Sequence, residues 1–194
     1  KIGNYLQNFI PIQIMDFNLL VTTYRHREYD AVDELNVILQ RFGDESSILK
    51  IQEISGIILA FTNLNPFELT RKFKELLVEE PWQFRYILRT IPIERSFYTD
   101  LKNIEIEVEN LAIKKIDINE SFRITIEKRH ASLRREEIIS SITNKLSGYR
   151  VSLENPNWII LIEIIGNKTG ISILKEIDIF SSVMEKRKYR DQIE

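Results

Sequence analysis

The chain has 194 residues, of which 43% are hydrophobic and 29% charged, and its formal net charge is −2. This is the composition of a globular protein large enough to bury a core without covalent staples. It has no cysteine, which excludes disulfides, thiolate metal sites and cysteine nucleophiles and fits a reducing, cytoplasmic setting. The near-neutral total also excludes a uniformly basic surface, so a polyanion would have to be held by a local patch.

The opening residues, KIGNYLQNFIPIQIM, are apolar but broken by Asn, Gln and Pro11. They lack a small-residue cleavage site, so no secretory signal is expected. Residues 17–23, FNLLVTT, read as a strand. Asp30 can cap a helix that places Ala31, Leu35, Ile38, Leu39 and Phe42 on one face, with Gly43 closing it. Residues 47–54 and 57–62 read as two strands joined by a tight turn at Ser55-Gly56. Asn65-Pro66 is a helix start, Leu69, Phe73, Leu76 and Leu77 form the buried face, and Pro81 stops the helix. Residues 82–93, WQFRYILRTIPI, then read as one long strand. The order β-α-β-β-α-β is the ferredoxin-like unit.

In the second half, Thr99 is a candidate cap. NIEIEVENLAIKKI fits both strand alternation and a helical face, and its length without a breaker favours a helix. SFRITIEK alternates cleanly, with Phe122, Ile124 and Ile126 on one side and Arg123, Thr125 and Glu127 on the other. Ile138, Ile139, Ile142 and Leu146 make a helical face ended by Gly148. Residues 150–153 read as a short strand and Asn155-Pro156 as a turn. WIILIEII is apolar on both faces, so a central strand covered on both sides is expected. It is also the longest apolar run, too short to span a membrane. Residues 167–170 turn the chain into the strand ISIL, and the tail MEKRKYRDQIE is charged. The expected division is a ferredoxin-like domain over 15–81, an α/β domain over 82–178 and a charged tail over 179–194. The strand at 82–93 could be shared by both domains.

Little in this chain suggests catalysis. The two histidines, His26 and His130, lie in different halves with no HExxH or EF-hand spacing nearby, so no metal is expected. The stretch Gly166-Asn-Lys168-Thr169 ends like a phosphate loop, but it lacks the upstream glycine and the following helix and reads as a hairpin turn. No GxSxG is present, and no cofactor is expected. What stands out is EKRHASLRREE, residues 127–137, in a protein whose total charge is slightly acidic. Lys128, Arg129, His130, Arg134 and Arg135 sit at a strand exit, a short loop and the first turn of a helix. With the free N–H groups of the helix start they would make an anion-binding concavity suited to phosphodiesters. Equally, the loop could be solvated and neutralised by Glu127, Glu136 and Glu137. Arginines in a first helical turn oppose the macrodipole, a conflict of the kind found at functional sites.

The stretch from Arg85 to Lys175 resembles the THUMP domain, the family named for thiouridine synthases, RNA methyltransferases and pseudouridine synthases. The likeness is carried by RYILRTIPI, by ESFRITIEKRH followed by RREEII, and by VSLENPNWIILIEIIGNKTGISIL. The tail EKRKYR resembles that of a branch of stand-alone proteins that help acetylate cytidine in tRNA. The resemblance implies a non-catalytic tRNA-binding adaptor that holds the acceptor end, around the single-stranded 3′ CCA. It would present the tRNA to a separate cytidine acetyltransferase, with no role at DNA or a membrane. Carried over by position, Arg129, His130, Arg134 and Arg135 are the implied RNA contacts, with Lys128 beside them. Lys168, Arg85 and Arg89 are further candidates, while Glu163 and Pro156 match the pattern as structural residues. The rivals are the binding half of a split thiolation or methylation system, and a ferredoxin-like interaction module that does not bind RNA.

Overall fold

In the computed structural model, which describes residues 16–191, FNLLVTT forms β1 (Leu19–Thr23). The first helix, α1 (Glu28–Arg41), starts two residues before Asp30, with Arg27 at its N-cap. Gly43 adopts φ 92° behind it and donates its N–H to Gln40 O at 2.9 Å. β2 (Ile48–Ile51) and β3 (Ile57–Phe61) form the expected hairpin. Gly56 in its turn has φ 82°, and a Cβ there would sit 2.9 Å from Thr23 O, so only glycine fits. α2 (Pro66–Glu79) is capped by Asn65, whose side-chain oxygen accepts from the N–H groups of Phe67 and Glu68 at 3.0 and 3.2 Å.

The expected long strand over 82–93 is shorter. Residues 81–83 make a single 3-10 turn, and only β4 (Ile87–Pro92) is strand. The Glu34 carboxylate of α1 accepts from the N–H groups of Arg85, Tyr86 and Ile87, so the segment before β4 hydrogen-bonds to a side chain instead of a neighbouring strand. The four strands lie in the order β4-β1-β3-β2, all antiparallel, which is the ferredoxin-like arrangement the element order implied. Leu35 and Leu39 of α1 and Leu69 and Phe73 of α2 cover one face.

The second sheet opens with β5 (Arg95–Tyr98), a strand the sequence reading missed. α3 (Leu101–Lys115) is a helix throughout, capped by Asp100, one residue past Thr99. β6 (Ser121–Arg129), α4 (Arg135–Lys145), β7 (Arg150–Val151), β8 (Trp158–Ile165) and β9 (Lys168–Leu174) follow. The order is β5-β9-β8-β6-β7, with β6 parallel to both β7 and β8. β8 is buried on both faces, as its composition required. Ile160, Ile162 and Ile164 meet α3 and α4, whereas Ile159, Leu161 and Ile165 meet Leu20, Ile57, Leu59 and Ile91 of the first sheet. The two sheets therefore stack face to face, with a helical layer outside each.

The division expected around 82 and 179 differs from the architecture. β4 is a strand of the first sheet, and the second sheet begins only at β5. Residues 179–191 do not hang free as a tail. β10 (Phe180–Ser181) pairs with β4 at the edge of the first sheet, and α5 (Ser182–Asp191) runs on from it. Phe180 is fully buried against Phe73 and Phe84, with ring centroids 5.6 and 4.7 Å away. Lys186 Nζ donates to Phe84 O at 2.7 Å. A two-residue strand and one aromatic carry too little periodicity to be read beside a highly charged helix face. The expectation of no secretory signal falls on residues 1–15, outside the described residues. Among the described residues, no helix is long and apolar enough to cross a membrane.

Candidate nucleic-acid interface

The local order at the basic segment is strand, loop, helix, as the sequence implied. β6 ends at Arg129, His130 reverses the chain with φ 53°, and α4 starts at Arg135. The dipole conflict is resolved locally. Arg134 is the N-cap and Arg135 the first helical residue, so the next two positions, where negative charge is favoured, belong to Glu136 and Glu137. Glu137 Oε2 accepts from the Arg134 N–H at 3.4 Å, and its Oε1 lies 3.9 Å from the Arg134 guanidinium.

The side chains divide into two groups. His130, Arg134 and Arg135 are exposed. Arg129 is not: its guanidinium turns under the sheet and donates to Glu163 Oε2 at 2.7 Å. Glu163 is fully buried on the β8 face that meets the other sheet, and its Oε1 has no hydrogen-bond partner. Burial pushes the Glu163 carboxyl above its ordinary range, and Arg129 partly offsets that shift. Lys128 Nζ donates to Leu133 O at 2.5 Å and so braces the loop from within. An Arg129 directed outward to an anion is thus corrected: in this structure it is the counterion of a buried acid. The reason is the period of two on β6, which puts Arg129 on the same face as Arg123, Thr125 and Glu127, opposite the second sheet's helices.

Of the remaining candidates, Lys168 belongs to a turn next to the loop, where the Gly166 N–H donates to Arg129 O at 2.9 Å, and Arg85 and Arg89 come from β4 and the segment before it. Lys168, at the β8–β9 turn, is paired with Asp16. Arg85 is exposed just before β4. Arg89, on β4, lines a cleft of about 350 Å³ between the two sheets together with Arg123, Leu161, Met184 and Lys188. Arg123 and Lys188 were not singled out from the sequence. The alternation of SFRITIEK already placed Arg123 on the polar side of its strand, but only the stacking of two sheets turns that side into a cleft wall. The buried Arg123 Nε has no hydrogen-bond partner. Among the described residues, no group of three or more His, Asp or Glu could hold a metal ion.

Residues 98–174 match the THUMP domain family. The matched THUMP segment runs from the end of β5 through β9 and includes the whole strand–loop–helix unit. Similar solved structures extend the likeness to the ferredoxin-like half. PH1313 from Pyrococcus horikoshii Ot3 covers 80% of this chain at 18% identity and TM-score 0.60, over 53% of its own length. TrmN from Thermus thermophilus covers 81% at 15% identity and TM-score 0.52, over 45% of its length. A 4-thiouridine synthetase in complex with RNA and ATP covers 86% at 14% identity and TM-score 0.52, over 42% of its length. At these identities the likeness is one of fold, and the chain spans about half the length of each of these structures. No curated protein matches the sequence.

Proposed function

We propose that this chain is a tRNA-binding adaptor of tRNA modification. It holds the acceptor end, with its 3′ CCA, and presents the tRNA to a separate cytidine acetyltransferase. The observation that carries RNA binding is the THUMP match over 98–174 joined to a ferredoxin-like unit, a pairing of folds that also superposes on a 4-thiouridine synthetase–RNA complex over 86% of this chain. The outward side chains of His130, Arg134 and Arg135, at the start of α4, suit phosphate contacts. In this reading the chain supplies proximity and orientation, and the partner supplies the chemistry. Distance does the selecting: with one end of the tRNA held, the partner reaches only bases at a fixed span.

The thiouridine synthetase among the similar structures supports a second reading, the detached binding half of a thiolation system. Two measurements test the proposal. Filter binding of tRNA at near-physiological salt, to wild type and to Arg134→Ala/Arg135→Ala, tests the interface. Equal binding by the variant would remove the assigned site, and no binding by wild type would remove RNA from the reading altogether. Nucleoside analysis of total tRNA with and without the protein tests the role. Loss of acetylcytidine supports the adaptor, and loss of thiouridine the second reading. Acetylation of tRNA by this chain with no partner present would overturn the adaptor assignment.

A further inference from the structure

The cleft of about 350 Å³ plays no part in the RNA-binding reading. It lies between β4 and β10 of the first sheet and β6 and β8 of the second, beside the apolar contacts that hold the sheets together. Its remaining side is formed by the first turns of α5. The size is at the small end of the range for ligand sites, roughly 300–1,000 Å³.

The period of two on β6 brings Arg123 and Thr125 to one wall, and β4 brings Arg89 to the other. Both arginines are half-buried, and among the described residues neither has an ion-pair partner. The charge of Arg89 reaches Glu163, but that carboxylate already holds Arg129 at 2.7 Å. The Arg123 Nε is shut off from water with no acceptor. A half-buried guanidinium with no countercharge and an unsatisfied donor is costly, and an anion in the cleft would supply the countercharge. Thr125 and Ser181 add hydroxyls to the lining. Ser181 Oγ accepts from the Met184 N–H at 3.4 Å, which leaves its own O–H to donate.

Acids limit what the cleft can hold. Glu185 is paired with Lys74 at 3.7 Å and Lys188 at 3.3 Å. Glu176 is exposed on the 3-10 turn of residues 176–178, at the rim, where water and salt screen its charge. Glu127 follows Thr125 on the same face of β6 but does not reach the lining. Like the two arginines, Glu176 and Glu127 have no ion-pair partner among the described residues. Arg89, Arg123, Lys74 and Lys188 thus exceed these acids by a single charge. A surplus so small, flanked by acids, suits a compact anion and disfavours a polyanion threaded through the cleft.

We propose that the cleft binds a small phosphate monoester, its phosphate held between Arg89 and Arg123 and its apolar body lying on Leu161, Ile179 and Met184. Planar guanidinium forks from two different sheets grip one tetrahedral anion from two sides, and the hydroxyls of Thr125 and Ser181 complete the contacts. No aromatic ring lines the cleft, so a nucleobase finds nothing to stack on. The bound anion ties the two sheets together. The site is separate from the basic loop and does not depend on the tRNA-binding reading.

The test uses the full chain with phenyl phosphate, inorganic phosphate and phenol as probes. Binding is read by calorimetry and by the Arg123 Nε–H resonance in a proton–nitrogen spectrum, a proton that is shielded from water. Phenyl phosphate binds more tightly than inorganic phosphate, phenol does not bind, and the Arg123 resonance moves on binding. Arg89→Ala and Arg123→Ala each weaken phenyl phosphate by roughly tenfold or more, the effect of losing a charge-assisted hydrogen bond. Arg123→Lys keeps the charge without the fork and falls between. Glu176→Gln removes a repelling charge and binds more tightly, while Arg135→Ala, in the helix beyond the far end of β6, binds like wild type. A thermal melt checks each variant. If an alanine variant is unfolded, the wild-type resonance shift and the gain in Glu176→Gln still decide. No phosphate binding by wild type, or unchanged binding in folded Arg89→Ala and Arg123→Ala, refutes the site. Displacement of phenyl phosphate by a short unpaired RNA would assign the cleft to the RNA path and overturn the small-ligand proposal.

Discussion

Arg129→Ala gives the sharpest test of the structure, because the sequence and the fold disagree about its cost. As a surface arginine in a basic loop, its loss would change stability by no more than about 0.5 kcal/mol. In the structure it leaves Glu163 fully buried without its ion-pair partner, one carboxylate oxygen already lacking a hydrogen bond and the other losing a 2.7 Å pair, with only the more distant charge of Arg89 to offset burial. Removing one member of a buried pair costs roughly 3–5 kcal/mol, a large part of the roughly 5–15 kcal/mol that holds a domain together. The cost depends on pH. The Glu163 carboxyl already lies above its ordinary range because of burial, and without Arg129 it rises further. Between the unfolded value and that raised value the folded variant holds an extra proton, so its stability falls as pH rises. Urea unfolding across a pH series should therefore show the Arg129→Ala deficit largest at neutral to basic pH and shrinking toward acid. Arg129→Ala combined with Glu163→Gln should recover most of the loss, since no lone buried charge remains. An Arg129→Ala protein as stable as Arg135→Ala at neutral pH would refute the buried-pair argument.

Other outcomes follow from the same structure. Phe180→Ala should cost about 3–5 kcal/mol by chemical denaturation, because the ring is fully buried among Phe73 and Phe84. For the same reason, truncation after Ile179 should destabilise the first sheet as a whole. The carboxyl of Glu28 is held down to about 2 by the hydroxyl of Ser55 and the N–H of Gly56. Its contribution is present above the unfolded value of 4.5 and lost as pH falls from there through about 2, so wild type should lose stability over that window more steeply than Glu28→Gln. If the interface reads phosphates, log affinity for tRNA should fall with log salt. Arg134→Ala/Arg135→Ala should flatten that slope by about 0.7 for each single-strand phosphate that is no longer neutralised, and an unchanged slope would place the phosphate-binding cations elsewhere.

Local chemistry written in the sequence determined much of the architecture. Asn65-Pro66 starts a helix and Ser55-Gly56 turns a hairpin because cap and turn geometry depend on a few neighbouring residues. The doubly apolar WIILIEII had to be a central strand, and β-α-β-β-α-β implied the sheet order that is observed. The strand–loop–helix setting of the basic segment was legible for the same reason. Charge pattern alone did not say where each cation points. Arg129 and Arg135 read alike in the chain, yet one neutralises Glu163, 34 residues away, and the other faces solvent. Phe180 and its two-residue strand were unreadable because their stability comes from partners about a hundred residues earlier. Sequence period determines which face of an element is buried; only the stacking of the two sheets decides what that face meets, and with it which charges remain free to bind.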